Sequence, residues 1–152
     1  MKLPPILNPR RPVVHLLIAF TTNNGENMVK DHAGQAKYFD VYRFSDGKAE
    51  FLERRDNSKY KGDEAMKHGD HKKAQATLEA LNGVHVLVAK MYGPNLPRLL
   101  KKLLCVVVRT QKISDAVKIV KNNLEIVLEE HQKGEGRKHL VLRPNTLPCP
   151  IK

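Results

Sequence analysis

Three histidines of this sequence lie in polar, glycine-containing segments, where an imidazole ring can reach a ligand. His32 lies in the stretch 31–34, and His68 and His71 lie three residues apart. Imidazole nitrogen is a good ligand for iron, copper and zinc. Two rings three residues apart at the start of a helix can lie on one side of its first turn. A metal site formed by His32, His68 and His71 is one hypothesis, and solvent-exposed loop histidines are the alternative.

Further ligand contacts are predicted in the turns that follow apolar runs of the chain. Asn24 and Gly34 come after the first run, and the sequence Tyr92-Gly93-Pro94 comes after a later one. Ligands, and anions in particular, collect at the carboxyl ends of parallel strands, because backbone N–H groups and helix N-termini converge there. These five residues are therefore candidate ligand-binding residues. A plain tight turn is the alternative for residues 91–95.

The apolar pattern predicts the strands and helices that position these residues. Near-continuous apolar runs indicate strands buried on both faces, and apolar residues at helical spacing indicate helices. Asp46-Gly47 supplies the positive φ that a hairpin between the second and third strands requires. His15 and His85 fall within strand runs and are interpreted as core or edge residues rather than ligands. Predicted strands cover 13–20, 38–44, 48–54, 84–89 and 104–108; predicted helices cover 71–81, 94–103 and a segment capped by Ser114 whose apolar stripe is Val117, Val120, Leu124, Val127 and Leu128.

The order of these elements predicts one α/β domain. The antiparallel hairpin comes first, and strands alternate with helices in the second half, which implies a mixed sheet covered by helices. A chain of 152 residues has room for one such domain. We expect a proline-rich N-terminal arm over 1–12, the α/β domain over 13–131, and a basic tail containing proline and glycine over 132–152. Within that tail, residues 140–142 could add a short strand.

The composition favours an anionic ligand. The net charge of +11 raises the local concentration of phosphates, nucleic acids and anionic metal clusters. Two cysteines, Cys105 and Cys149, cannot form a disulfide framework, which fits the reducing cytoplasm. The apolar stretch 13–20 is too short to cross a bilayer, so no membrane association is expected.

Several common functions lose support because their motifs are missing from the sequence. There is no Walker loop, dinucleotide fingerprint, His-Glu-x-x-His helix, Cys-x-x-Cys pair or Gly-x-Ser-x-Gly elbow. The first strand is followed by threonine and asparagine rather than by the clustered carboxylates of two-metal nucleases. Residues 91–114 contain no acidic residue, so this stretch could face a nucleic-acid backbone or an acidic protein. Its cations are Arg98, Lys101, Lys102, Arg109 and Lys112.

The order and spacing of these segments resemble the dinitrogenase iron–molybdenum cofactor biosynthesis family. The resemblance rests on residues 17–20, 31–39 and 51–55, and continues through the loop at His68-Gly69, the run 84–89, the Gly93-Pro94 turn and the helix from Ser114. It covers about residues 13–130. The family usually has His-Phe-Gly where this chain has His32-Ala33-Gly34.

The resemblance implies a ribonuclease H-like three-layer sandwich, with a five-stranded mixed sheet and helices on both faces. It also implies a protein that is not an enzyme and that binds, stores or delivers an iron–sulfur or iron–molybdenum cluster or its precursor. Partners would be cofactor biosynthesis or acceptor proteins. His32 corresponds to the family's loop histidine, and His68 lies in the histidine-containing loop before the first long helix. The alternative is a basic nucleic-acid-binding module without nuclease activity, whose binding would be weak.

Overall fold

The apolar runs become the centre of a sheet. In the computed structural model, residues 15–57 and 71–143 are described, with the backbone alone for residues 71–73. The strands are β1 (Leu16–Thr22), β2 (Tyr38–Ser45), β3 (Lys48–Asp56), β4 (Val86–Ala89), β5 (Leu104–Val108) and β6 (Leu140–Leu142); the helices are α1 (His71–Ala80), α2 (Leu96–Leu100), α3 (Ile113–Asn122) and α4 (Leu124–His131). Every residue of β4 and of β5 is buried, as continuous apolar runs predict.

The sheet has the strand order β3-β2-β1-β4-β5-β6. β1 and β2 are antiparallel, as are β2 and β3, whereas β1, β4, β5 and β6 run parallel to one another. The predicted hairpin is confirmed: Asp46 and Gly47 have φ values of 52° and 75°, and Ser45 pairs with Lys48. The mixed sheet and its antiparallel hairpin therefore agree with the sequence prediction.

Side chains of the central strands pack alternately into two hydrophobic cores, one on each face of the sheet, because successive strand residues point to opposite faces. Ile18 and Phe20 of β1 pack with residues of α3 and α4 on one face. Ala19 packs on the other face, with side chains that follow α1 and with Leu99 of α2. Helices thus cover both faces of the sheet.

The predicted number of strands is wrong: the sheet has six, not five. β6 pairs in parallel with β5, joining Val106 to Leu140 and Val108 to Leu142. β6 lies within residues 132–152, the segment interpreted as a tail, and is the short strand that residues 140–142 were expected to be able to add. Three residues give too short a pattern for periodicity to distinguish a strand from a loop, although Leu142 is buried.

The helix predicted to begin at Ser114 is two helices, α3 and α4, with Asn123 between them. Asn123 is 2% exposed, and its Nδ2 donates a hydrogen bond to the Ile119 carbonyl oxygen at 2.8 Å. The apolar stripe continues through the break, so periodicity alone could not reveal it. Ser114 is not the cap: α3 begins at Ile113, and Lys112 precedes it without a side-chain cap hydrogen bond.

Some predictions fall on residues outside the described part of the chain. These are the N-terminal arm over 1–12, the loop containing His68, and the tail beyond residue 143. Among the described residues, no helix is both long and apolar enough to cross a membrane.

Candidate functional site at the carboxyl edge of the sheet

The two turns that carry most of the predicted site residues lie side by side. Residues 23–37 connect β1 to β2 and pass the segment that follows β4. His32 and Met91 form a parallel β-bridge, and the Ala33 N–H donates to the Met91 carbonyl oxygen at 3.1 Å. Because β1 and β4 are parallel neighbours, their carboxyl ends open at one edge of the sheet. The predicted convergence of these two turns is therefore confirmed.

The His32 ring lies against the backbone of Gly93. A Cβ atom built on Gly93 would lie 2.7 Å from His32 Nδ1 and 3.2 Å from His32 Cγ, well inside normal van der Waals contact. Gly93 is therefore needed for close approach, since any side chain would displace the imidazole. The ring remains partly exposed.

A small cleft opens beside this contact. Its volume is about 30 Å³, room for one or two water molecules, so a larger group must sit at its mouth. The cleft is lined by His32, Ala33, Gly34, Gln35, Ala74, Thr77, Tyr92, Gly93, Pro94, Asn95, Leu96 and Leu99. Of the predicted site residues, His32, Gly34, Tyr92, Gly93 and Pro94 thus share one cleft.

Of the other two predicted metal ligands, the structure describes only the backbone of His71 and does not describe His68. His71 is the first residue of α1, three residues before Ala74, which lines the cleft. His68 lies outside the described residues. Within 15–57 and 74–143, where side chains are described, no group of three or more His, Cys, Asp or Glu side chains is arranged to hold a metal ion. The described residues therefore offer one imidazole at the mouth of a cleft rather than an enclosing set of ligands.

Asn24 is not among the residues that line the cleft. Its Oδ1 accepts hydrogen bonds from the N–H groups of Glu26 at 2.8 Å and Asn27 at 2.9 Å. Such self-contained turns are typical of asparagine. Asn24 shapes residues 23–27, which pair with the start of α3 through the hydrogen bond from the Ile113 N–H to the Glu26 carbonyl oxygen at 2.9 Å.

Tyr92 lines the cleft and is anchored by its hydroxyl. The hydroxyl lies 2.7 Å from the Leu87 carbonyl oxygen and 3.1 Å from that of Val106, and can donate its proton to either. Burial, and next the nearby Cys105, raise the pKa of Tyr92 well above its ordinary value. Burial likewise raises the pKa of the Cys105 thiol. Neither group is a ready anionic ligand, and Tyr92 fixes the turn in place.

His85 has a structural role, as predicted. It lies at the amino end of β4, opposite the carboxyl ends of the strands where the cleft opens. The Leu17 N–H donates to His85 Nδ1 at 3.0 Å, so the proton of the neutral ring is on Nε2. Neither nitrogen then offers a lone pair to a metal. The ring stands edge-on to His131, with centroids 5.3 Å apart. His15 is exposed and lies just before β1.

The charge around the cleft is favourable to an anion. Among the described residues that line it, none carries a carboxylate. The basic residues of the acid-free stretch 91–114 are all exposed: Arg98, Lys101, Lys102, Arg109 and Lys112. These cations attract anions at long range. The carboxylate of Asp31 lies next to His32, and its Oδ1 accepts a hydrogen bond from the His32 N–H at 2.7 Å.

Three residues that shape the cleft were not among the candidate ligand-binding residues, although Asn95 lies within the predicted turn 91–95. Thr77 lines it one helical turn after Ala74, and this i, i+3 spacing was a usable signal. Asn95 lines it directly after the Gly93-Pro94 turn. Asn57 lies under residues 34–36 and donates hydrogen bonds to them. No sequence pattern marks Asn57, because its partners are more than twenty positions away.

Comparison with known proteins adds one match. The family model described as dinitrogenase iron–molybdenum cofactor matches residues 14–125, well over half of the chain. The match confirms the resemblance inferred from the sequence and spans β1 to the start of α4. No curated protein matches the chain in sequence.

Proposed function

We propose, because the chain belongs to the dinitrogenase iron–molybdenum cofactor family, that it binds an anionic iron–sulfur or iron–molybdenum cluster, or a precursor of one, and delivers it to an acceptor protein. The cluster is cargo rather than a resident group, and the protein catalyses no reaction. The seat is the mouth of the cleft between residues 32–35 and 92–96. The strand order β3-β2-β1-β4-β5 also supports a ribonuclease H-like arrangement of the first five strands.

The packing of the His32 imidazole on Gly93 is the observation that carries this proposal. It holds one good iron ligand at a fixed place beside exposed turns, and no residue that lines the cleft carries a carboxylate. The nearby carboxylate of Asp31 accepts a hydrogen bond from the His32 N–H at 2.7 Å. The cations of the acid-free stretch 91–114 add long-range attraction for an anion.

The shallow cleft favours transient binding over permanent capture. A volume of about 30 Å³ cannot enclose a cluster of several metal and sulfur atoms, which would therefore stay accessible to an acceptor. One imidazole and a few polar contacts hold less tightly than a full set of protein ligands. Easy release is the property that a delivery protein needs.

Uptake measured without oxygen tests the proposal. The purified protein is mixed with a synthetic anionic [4Fe–4S] cluster or, in a second arm, with isolated iron–molybdenum cofactor, and then passed through a desalting column. We expect iron, molybdenum in the second arm, and visible absorbance to elute with the protein. His32→Ala should weaken uptake about tenfold or more, the scale on which metal sites respond to loss of a supporting group.

His85→Ala is the matched histidine control. It removes the acceptor of the Leu17 N–H at the far edge of the sheet, so it should lower stability while leaving uptake intact. A parent protein that elutes without metal in both arms refutes the proposed function. Equal uptake by His32→Ala and the parent refutes the role of His32.

A further inference from the structure

Asn57 lies buried beneath the turn that follows His32. It is 3% exposed and directly follows β3. Its Nδ2 donates hydrogen bonds to the carbonyl oxygens of Gly34 at 3.1 Å and Ala36 at 2.8 Å. Its backbone N–H donates to the Lys37 carbonyl oxygen at 2.9 Å. One residue thus holds three points of the segment that leads from His32 into β2.

Other contacts secure this segment at its two ends. The bridge of His32 with Met91 and the hydrogen bond from the Ala33 N–H fix its start to the turn after β4. Residues 33–35 form a single short 3₁₀ turn, which has few internal hydrogen bonds to keep its shape. At the end of the segment, the Lys37 N–H donates to Asn23 Oδ1 at 2.9 Å. Between these two attachments, the side chain of Asn57 holds the carbonyl oxygens of Gly34 and Ala36.

Both amide protons of Asn57 are needed, because buried carbonyl oxygens that lose their donors cost free energy unless the backbone moves to find water. The assignment of Nδ2 toward the two carbonyl groups follows from chemistry, since the opposite orientation would place oxygen against oxygen. A moved backbone would carry the His32 ring away from Gly93.

We propose that Asn57 is a positioning residue for the cluster seat, holding residues 34–37 so that His32 stays packed on Gly93. The expected loss of cluster uptake rests on the proposed function. The claim that Asn57 holds residues 34–37 in place does not. The residue touches no cargo and acts through His32.

Asn123 provides a matched control for the test. It is also a buried asparagine, 2% exposed, and its Nδ2 also donates to a backbone carbonyl oxygen, that of Ile119. In both residues the Oδ1 atom is buried without a hydrogen bond to another described residue. Asn123, however, lies between α3 and α4 and does not line the cleft.

The experiment compares Asn57→Ala with Asn123→Ala at a temperature where both proteins are folded. Uptake of the synthetic [4Fe–4S] cluster should fall about tenfold or more in Asn57→Ala and stay near the parent level in Asn123→Ala. Hydrogen exchange should accelerate at the amides of Ala33, Gln35 and Ala36 in Asn57→Ala beyond the change in global stability. Asn57→Ser, which keeps one donor, should recover part of both properties and serves if Asn57→Ala does not fold.

Three outcomes overturn the inference. Equal losses of uptake in the two alanine variants would mean that stability alone is responsible. Unchanged uptake in Asn57→Ala would remove the link from Asn57 to the seat. Unchanged exchange at residues 33–36 would remove its structural basis. If the parent itself takes up no cluster, the proposed function fails, while the exchange measurement still decides whether Asn57 holds the turn.

Discussion

The His32 imidazole can take its position because Gly93, which it contacts, has no side chain. Gly93 does not have the positive φ that several other glycines of this fold adopt. Its role is therefore to leave space for the ring rather than to allow an unusual turn. The ring fills that space, and His32 lines the cleft. The proposed seat thus needs both the space left by Gly93 and the imidazole of His32.

Gly93→Ala should therefore impair uptake through crowding alone. The added methyl group would lie 2.7 Å from His32 Nδ1, so the ring must move. We expect cluster uptake to fall about tenfold, with a modest loss of thermal stability. Gly136→Ala is the control, because a methyl group there meets no atom within 4 Å and Gly136 does not line the cleft. Equal uptake by Gly93→Ala and Gly136→Ala would contradict the seat described above.

The His85–His131 pair predicts a loss of stability in mild acid. Burial lowers the pKa of His85 and of His131 below the ordinary value of 6.5, with Arg137 and then His85 lowering that of His131 further. Below pH 6.5 the unfolded chain then binds more protons than the folded one, so the free energy of unfolding decreases as pH falls. Protonation of His85 Nδ1 also removes the acceptor of the Leu17 N–H.

Denaturant unfolding between pH 7.5 and pH 5 measures this effect. His85→Asn cannot titrate, yet its Oδ1 can still accept from the Leu17 N–H, so its stability should depend less on pH over this range. An identical pH dependence in parent and variant would show that His85 does not contribute.

The site was predictable where function follows from local sequence, and less so where it follows from distant contacts. His32, Gly34, Tyr92, Gly93 and Pro94 came from turn chemistry at strand ends, and they share one cleft. Asn24 looked equivalent, but its oxygen is used by neighbouring N–H groups. Asn57 could not be identified from the sequence, because it follows β3 and its partners are carbonyl groups of residues that precede β2.

At the scale of elements, continuous apolar runs were the most reliable signal. β5 begins and ends at the predicted residues, and the predicted hairpin turn is correct. The break between α3 and α4 was missed because the stripe of apolar residues runs through it and Asn123 alone interrupts the backbone. β6 was not counted in the sheet because three residues carry little pattern.

β6 should contribute to the stability of the domain although it lies in the segment interpreted as a tail. Leu142 is 4% exposed and packs in the core beneath α3 and α4, whereas its neighbour Val141 is 38% exposed. Leu142→Ala should lower the free energy of unfolding by about 2 kcal/mol, at the lower end for buried leucines. Val141→Ala should change it by less than about 0.5 kcal/mol. Equal effects in chemical denaturation would argue that β6 is not docked.

At the scale of the whole molecule, the positive charge should attract nucleic acid without selecting it. Three of the four phenylalanines are almost completely buried, which leaves few aromatic faces for stacking on bases. If the five exposed cations of residues 91–114 contact phosphates, affinity should fall by two to three orders of magnitude, roughly, between 50 and 200 mM salt. Tight, sequence-selective binding that persists above physiological salt would favour the nucleic-acid-binding alternative.

The most direct test of the central claim locates the cargo on the protein. A paramagnetic anionic [4Fe–4S] cluster is added without oxygen to isotopically labelled protein, and the broadening of each backbone amide resonance is measured. The account predicts the strongest broadening at Ala33, Gly34, Gly93 and Asn95, with little at the α3–α4 junction on the opposite face of the sheet. Broadening centred on Arg98 and Lys102, or spread evenly over the basic surface, would contradict a seat at His32.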